Sequence, residues 1–130
     1  MKAALLSLLL VACVPPCHKD DKMLCARNAI SLEMKISYEN VLAKTQDITF
    51  EIGNEESFIA PNGMEVRGLA FCNSRHIRLN NEEAVGVLAH ELIHIYFCPE
   101  EKQNYRHVGW QELGAYEAQA TAAFMYSEAL

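Results

Sequence analysis

The strongest constraint on the fold is an apolar segment, residues 84–97, which contains the motif His-Glu-Leu-Ile-His at positions 90–94. The rest of the segment is almost wholly apolar, which predicts a helix that is buried on nearly all sides. Residues four apart lie one above the other on a helix, so His90 and His94 can share one metal ion. Glu91 lies about 100° further round the helix, close enough to act as a general base beside that ion. The spacing therefore predicts the metal helix of a zinc hydrolase.

The sequence on either side of the segment supports a helix of this length. Asn80 or Asn81 can cap its beginning, since asparagine is a favoured N-cap residue. Pro99 disfavours helical backbone at Cys98, so the helix is expected to end there.

A zinc site of this kind needs a third protein ligand. A second helix is predicted over residues 110–130, which are rich in Ala, Glu, Gln and Leu. Glu112 and Glu117 lie about 140° apart on that helix, so only one of them can face the metal. Glu117 shares its helical face with small and apolar residues, namely Leu113, Gly114, Ala120, Thr121 and Phe124. We therefore predict Glu117 as the third ligand, with Cys98 and His107 as alternatives.

The residues His90, Glu91, His94 and Glu117 together resemble the gluzincin group of zinc metallopeptidases, in which a glutamate on the following helix completes the site. The resemblance implies Zn2+ as cofactor, Glu91 as the catalytic base and a peptide or protein as substrate. It also implies a minimal zincin-like domain, in which the edge strand before the metal helix binds extended substrate by β-addition. Residues 68–71 are our candidate for that strand.

The chemistry of peptide hydrolysis also calls for a donor that stabilises the oxyanion of the transition state. The candidates lie near the gap between the two site helices, and they are Tyr105, His107, Arg106 and Tyr116. Tyr38 is a further candidate if the first helix packs over the site.

The start of the chain predicts export. Met1 and Lys2 precede an apolar run, residues 3–12, which fits a secretory signal and is too short to span a membrane. The run ends Leu-Val-Ala before Cys13, which resembles a bacterial lipobox. The resemblance implies a signal peptide at 1–12, a lipid-anchored tether at 13–22 and contact with the membrane through the lipid alone. Since Val14 rather than Asp follows Cys13, it implies a periplasm-facing lipoprotein of the cell envelope, on the outer membrane in a Gram-negative cell.

The cysteine count agrees with an oxidising compartment. The chain has five cysteines, and lipidation of Cys13 would leave an even number for disulfides. Four cysteines allow three connectivities. We favour Cys17–Cys25 as a local clip and Cys72–Cys98 as a link from a strand to the metal helix.

The net charge limits the class of partner, and the order of the predicted helices and strands indicates the fold class. The net charge of −6 and the lack of a basic cluster argue against a nucleic-acid partner. Residues 23–130 are long enough for one domain with one core, and we expect a monomer. A helix over residues 23–44 is followed by strand patterns between residues 47 and 79. With the two site helices after them, this order predicts an α+β fold with a small, mostly antiparallel sheet.

Two alternative functions remain open at this point. One is a non-catalytic envelope lipoprotein whose metal only holds the fold; its site would be closed by four protein ligands, and it would have no need of Glu91. The other is a zinc hydrolase that acts on a non-protein or cell-wall substrate.

Overall fold

Helices occupy both ends of the described chain, and short strands lie between them. The computed structural model describes residues 17–98 and 109–130. In chain order the elements are α1 (Lys22–Met34), α2 (Tyr38–Lys44), β1 (Thr49–Ile52), β2 (Phe58–Ile59), β3 (Glu65–Val66), β4 (Gly68–Phe71), β5 (His76–Leu79), α3 (Val85–Tyr96) and α4 (Gly109–Ala129). This order confirms the predicted α+β class and the positions of both site helices.

The predicted N-terminal helix over residues 23–44 is in fact two helices. Lys35 adopts a left-handed conformation, with φ at 54°, and its N–H donates to the carbonyl of Ser31 at the end of α1. Ser37 then caps α2 by accepting a hydrogen bond from the Asn40 N–H. The sequence pattern missed this break because a left-handed lysine carries no sequence signal as clear as a glycine.

The strands form one mixed sheet and one separate hairpin. Within the described residues the larger sheet has the order β1-β5-β4, with β5 parallel to β1 and antiparallel to β4. β2 and β3 pair antiparallel. Two of these three pairings are antiparallel, as the sequence predicted. β3 and β4 are separated at Arg67, whose carbonyl accepts a hydrogen bond from the Asn80 N–H at 2.8 Å.

α3 lies at the centre of the molecule, between the sheet and the other long helices. It contacts α1, α4, β4 and β5. Leu92, Ile93 and Ile95 of α3 are fully buried in the core. α4 meets this core through a stripe of small residues that are also fully buried, Ala115, Ala118 and Ala122. Small side chains let two helix backbones approach closely, and this close approach decides which face of α4 reaches α3.

Both favoured disulfides are present. Cys17 is bonded to Cys25, and Cys72 is bonded to Cys98. The first bond fixes residue 17, which lies within the predicted tether, to α1. The second joins the residue after β4 to the residues after α3. Because Cys98 is bonded to sulfur, it is excluded as a metal ligand.

The start of α3 differs from the prediction. The helix begins at Val85 with Ala84 at the cap position and no side-chain cap. Asn80 instead donates from its side-chain amide to the Glu56 carbonyl at 2.8 Å, and Asn81 accepts from the Glu83 N–H at 2.9 Å. The two asparagines therefore shape the loop before the helix. Across residues 17–98 and 109–130, the structure has no helix with both the length and the apolar character to cross a membrane.

Candidate metal centre

Two histidines of α3 and one carboxylate of α4 come together beside the sheet. His90 and His94 lie one turn apart, with ring centroids separated by 5.2 Å. Nε2 of His94 is 2.7 Å from Oε1 of Glu112, and Nε2 of His90 is 3.6 Å from the same oxygen. One donor atom from each of the three residues lies within 4.8 Å of the other two. This group could hold a metal ion.

The third residue of the group is Glu112, so the choice of Glu117 has to be corrected. Glu117 is exposed on α4 and is not part of the group. The prediction assumed that the face bearing Leu113 and Phe124 would pack against α3, but these side chains are 63% and 65% exposed. The alanine stripe packs there instead, and it turns Glu112 toward the histidines.

The residue types and their surroundings fit a bound divalent cation. Two imidazoles and one carboxylate form the donor set of many catalytic zinc sites, which leave a further coordination position for water or substrate. The side chain of His94 is 2% exposed and that of His90 is 11% exposed, whereas that of Glu112 is 31% exposed. The group is therefore buried on the α3 side and reachable from solvent on the α4 side.

His90 has a further partner on α4. Its Nδ1 is 3.0 Å from Oε1 of Gln119. Since an amide oxygen only accepts hydrogen bonds, this contact favours a proton on Nδ1, and in the neutral ring Nε2 then carries the lone pair. This lone pair is on the nitrogen nearest Glu112.

Glu91 is buried between α3 and the start of β4. It is 8% exposed. A Cβ at Gly68 would lie 3.0 Å from Cγ of Glu91 and 3.1 Å from its Oε2, and it would overlap the side chain of Val87. Glycine at this position therefore leaves the space that the Glu91 carboxylate occupies. Burial, together with the nearby charge of Glu112, raises the pKa of Glu91 to about 8.

An open cleft of about 430 Å³ runs over the group. Its floor includes His90, Glu91, His94 and Glu112, and one wall is formed by residues 64–69 of β3, β4 and their junction. Tyr116 also lines the cleft, with its ring 4.7 Å from the His90 ring in an edge-on arrangement. The ligand group thus faces a space large enough for part of a substrate chain.

The other sequence candidates fall into two groups. Cys13, Tyr105, Arg106 and His107 lie outside the described residues, as does the predicted signal peptide. Tyr116 lines the cleft, whereas Tyr38, at the start of α2, is not among the residues that line it. The sequence named Gly68 only as part of the candidate substrate strand, residues 68–71, and it gave Gln119 no role at the site. The signal for Gln119 was its spacing of seven from Glu112 and three from Tyr116, which places all three on one face of α4.

Comparison of the chain with protein-family models, curated proteins and solved structures gives no match.

Proposed function

We propose that this chain is a zinc-dependent metallopeptidase, with His90, His94 and Glu112 as metal ligands and Glu91 as the general base. The observation that carries the proposal is the convergence of the three donor atoms, within 4.8 Å of one another, at the floor of an open cleft. The H-E-x-x-H spacing on a buried helix supports the same histidine ligands and the same base from the sequence.

A bound zinc ion would supply Lewis acidity, which activates water and polarises the scissile carbonyl. The protein supplies the proton transfers. A nearby cation would favour the ionised form of Glu91, which accepts the proton of the attacking water on its carboxylate and then delivers it to the leaving amine. Its position on α3, directly after His90, and its place in the lining of the same cleft support this role. Tyr116 is the donor candidate that borders His90 in the described residues, so we propose it as the side chain that stabilises the oxyanion.

The neighbouring strand supports a peptide as substrate. β4 is an edge strand of the sheet formed by the described residues, and Gly68 and Leu69 line the cleft. An extended peptide can add to such an edge through main-chain hydrogen bonds. Gly68 lies against the Glu91 carboxylate, so a peptide paired with β4 would pass next to the base.

Two features favour catalysis over a purely structural metal. Structural zinc sites are closed, whereas this ligand group lines an open cleft, as the ligands of catalytic zinc sites do. Glu91 is also buried beside the ligands, although a structural site has no use for a base and burial of a carboxylate carries a cost.

We further propose that the protein works in the cell envelope as a lipoprotein anchored through Cys13. The two disulfides support an oxidising compartment, since such bonds rarely persist in the cytosol.

The test is to incubate the zinc-loaded chain, with disulfides intact, with a mixed library of unmodified peptides and to detect cleavage by mass spectrometry. Glu91→Gln should bind zinc like the parent and lose cleavage, because the amide cannot accept the proton. Glu117→Gln removes one exposed carboxylate of α4 and serves as the control that keeps full activity. Cleavage by Glu91→Gln at the parental rate would refute the proposed role of the base.

A further inference from the structure

Gln119 contacts His90 on the side of the ring that faces away from the ligand group. The 3.0 Å contact joins Oε1 of Gln119 to Nδ1 of His90, while Nε2 of His90 is the nitrogen near Glu112. We propose that Gln119 is a positioning residue, which fixes His90 in the tautomer and orientation that present Nε2 to a metal ion. This inference rests on the proposed zinc site and adds a residue that the motif does not contain.

The hydrogen bond selects one tautomer. A neutral imidazole carries its proton on either Nδ1 or Nε2, and a proton on Nε2 would block metal binding there. The amide oxygen of Gln119 stabilises the form with the proton on Nδ1. Partners of this kind on metal-bound histidines orient the ring and raise its basicity, and their loss typically lowers metal affinity about 10–100-fold.

The packing of the two helices brings Gln119 to this position. Gly86 lies one turn before His90 on α3, and a Cβ there would be 2.8 Å from the backbone oxygen of Gln119 and 3.2 Å from its Cγ. α4 therefore approaches α3 closely at Gln119 because Gly86 has no side chain. The same close approach brings the Gln119 amide within hydrogen-bond distance of the His90 ring.

Gln119 also lies on the ligand face of α4. Glu112, Tyr116 and Gln119 follow one another at spacings of four and three, so one face of α4 supplies the carboxylate ligand, the ring beside His90 and the hydrogen bond to His90. A glutamine at this point is matched to its surroundings. It fills the space beside Gly86 and offers an amide oxygen to His90.

The first test compares Gln119→Met with Gln119→Glu in the full chain. Methionine keeps the length and packing of glutamine but offers no comparable acceptor, whereas a carboxylate accepts the same hydrogen bond. The zinc Kd is measured by competition with a chromophoric chelator. We expect it to rise about 10–100-fold in Gln119→Met, and to be equal to or lower than the parental value in Gln119→Glu. A residue with only a packing role would give the opposite order, since the half-buried charge would then be the disruptive change.

The second measurement is independent of metal. The ¹⁵N chemical shifts of the His90 ring in the metal-free protein report which nitrogen carries the proton. We expect the proton on Nδ1 in the parent and a mixture of tautomers in Gln119→Met. Unchanged shifts together with an unchanged zinc Kd would overturn the positioning role. If the parent bound no zinc, the proposed function would fall, and the shifts alone would decide whether Gln119 sets the tautomer.

Discussion

Gly68→Ala tests whether the close approach of β4 to α3 holds Glu91 in place. The added Cβ would overlap Val87 and would lie 3.0 Å from Cγ and 3.1 Å from Oε2 of Glu91. Overpacking of this kind costs about 1–3 kcal/mol, and the loss of glycine freedom in the unfolded chain offsets about 0.4–1 kcal/mol of it. We therefore expect the free energy of unfolding to fall by about 1.3 kcal/mol at the midpoints of these ranges, and by no more than about 2.6 kcal/mol, measured by urea denaturation of the metal-free protein.

The effect on hydrolysis should be larger than the effect on stability. The Cβ can be accommodated only if Glu91, Val87 or the strand moves, and a displacement near 1 Å at a reacting group can cost on the order of 100-fold in rate. The zinc content should stay at the parental level, because the atoms nearest the added Cβ belong to Val87 and Glu91 and not to the metal ligands. The assay is peptide cleavage at equal zinc loading.

A second substitution separates the effect of the contact with Val87 from the effect of the contact with Glu91. Val87→Ala added to Gly68→Ala removes the closest overlap, so it should recover part of the lost stability. It leaves the contact with Glu91 in place, so cleavage should remain low. If Gly68→Ala were as stable and as active as the parent, the argument that this glycine makes room for the base would be refuted.

Three further outcomes follow from the packing and the site. Replacing Cys72 and Cys98 together with alanine should lower the free energy of unfolding by about 3 kcal/mol, because their separation of 26 residues closes a sizeable loop; unchanged denaturation would contradict this. Zinc at about 100 times its Kd should raise the free energy of unfolding of the parent by about 2.7 kcal/mol, measured by thermal unfolding, and should not change that of His94→Ala. An equal increase in both proteins would show that the metal binds elsewhere. Gly86→Ala should weaken zinc binding in chelator competition, because its Cβ would push against the backbone of Gln119; parental affinity would show that this approach is not required.

Local patterns predicted much of the architecture. The apolar run around His90 and His94 predicted the buried metal helix, and the alternating segments predicted strands close to those observed. The pairing of Cys72 with Cys98 was predicted because one cysteine followed a strand and the other ended the metal helix. Each of these inferences depends on residues close together in the chain or on a strong periodic signal.

The choice between Glu112 and Glu117 depended on tertiary packing, and the sequence did not decide it. The large side chains of Leu113 and Phe124 suggested a buried face, yet both are mostly exposed. α4 packs through alanines instead, because α1 and α3 approach it too closely for larger residues. This close approach sets the rotation of α4, and the rotation decides which carboxylate reaches the histidines. The partner of His90, Gln119, follows from the same rotation.

The central claim is that His90, His94 and Glu112 form one zinc site. Zinc per chain should be measured by mass spectrometry after dialysis, in the disulfide-bonded parent, in Glu112→Gln and in Glu117→Gln. The two variants each remove one carboxylate from α4, so they are matched in charge and differ in position. We predict about one zinc in the parent and in Glu117→Gln, and little in Glu112→Gln. A parent without zinc, or loss of zinc in Glu117→Gln alone, would contradict the site.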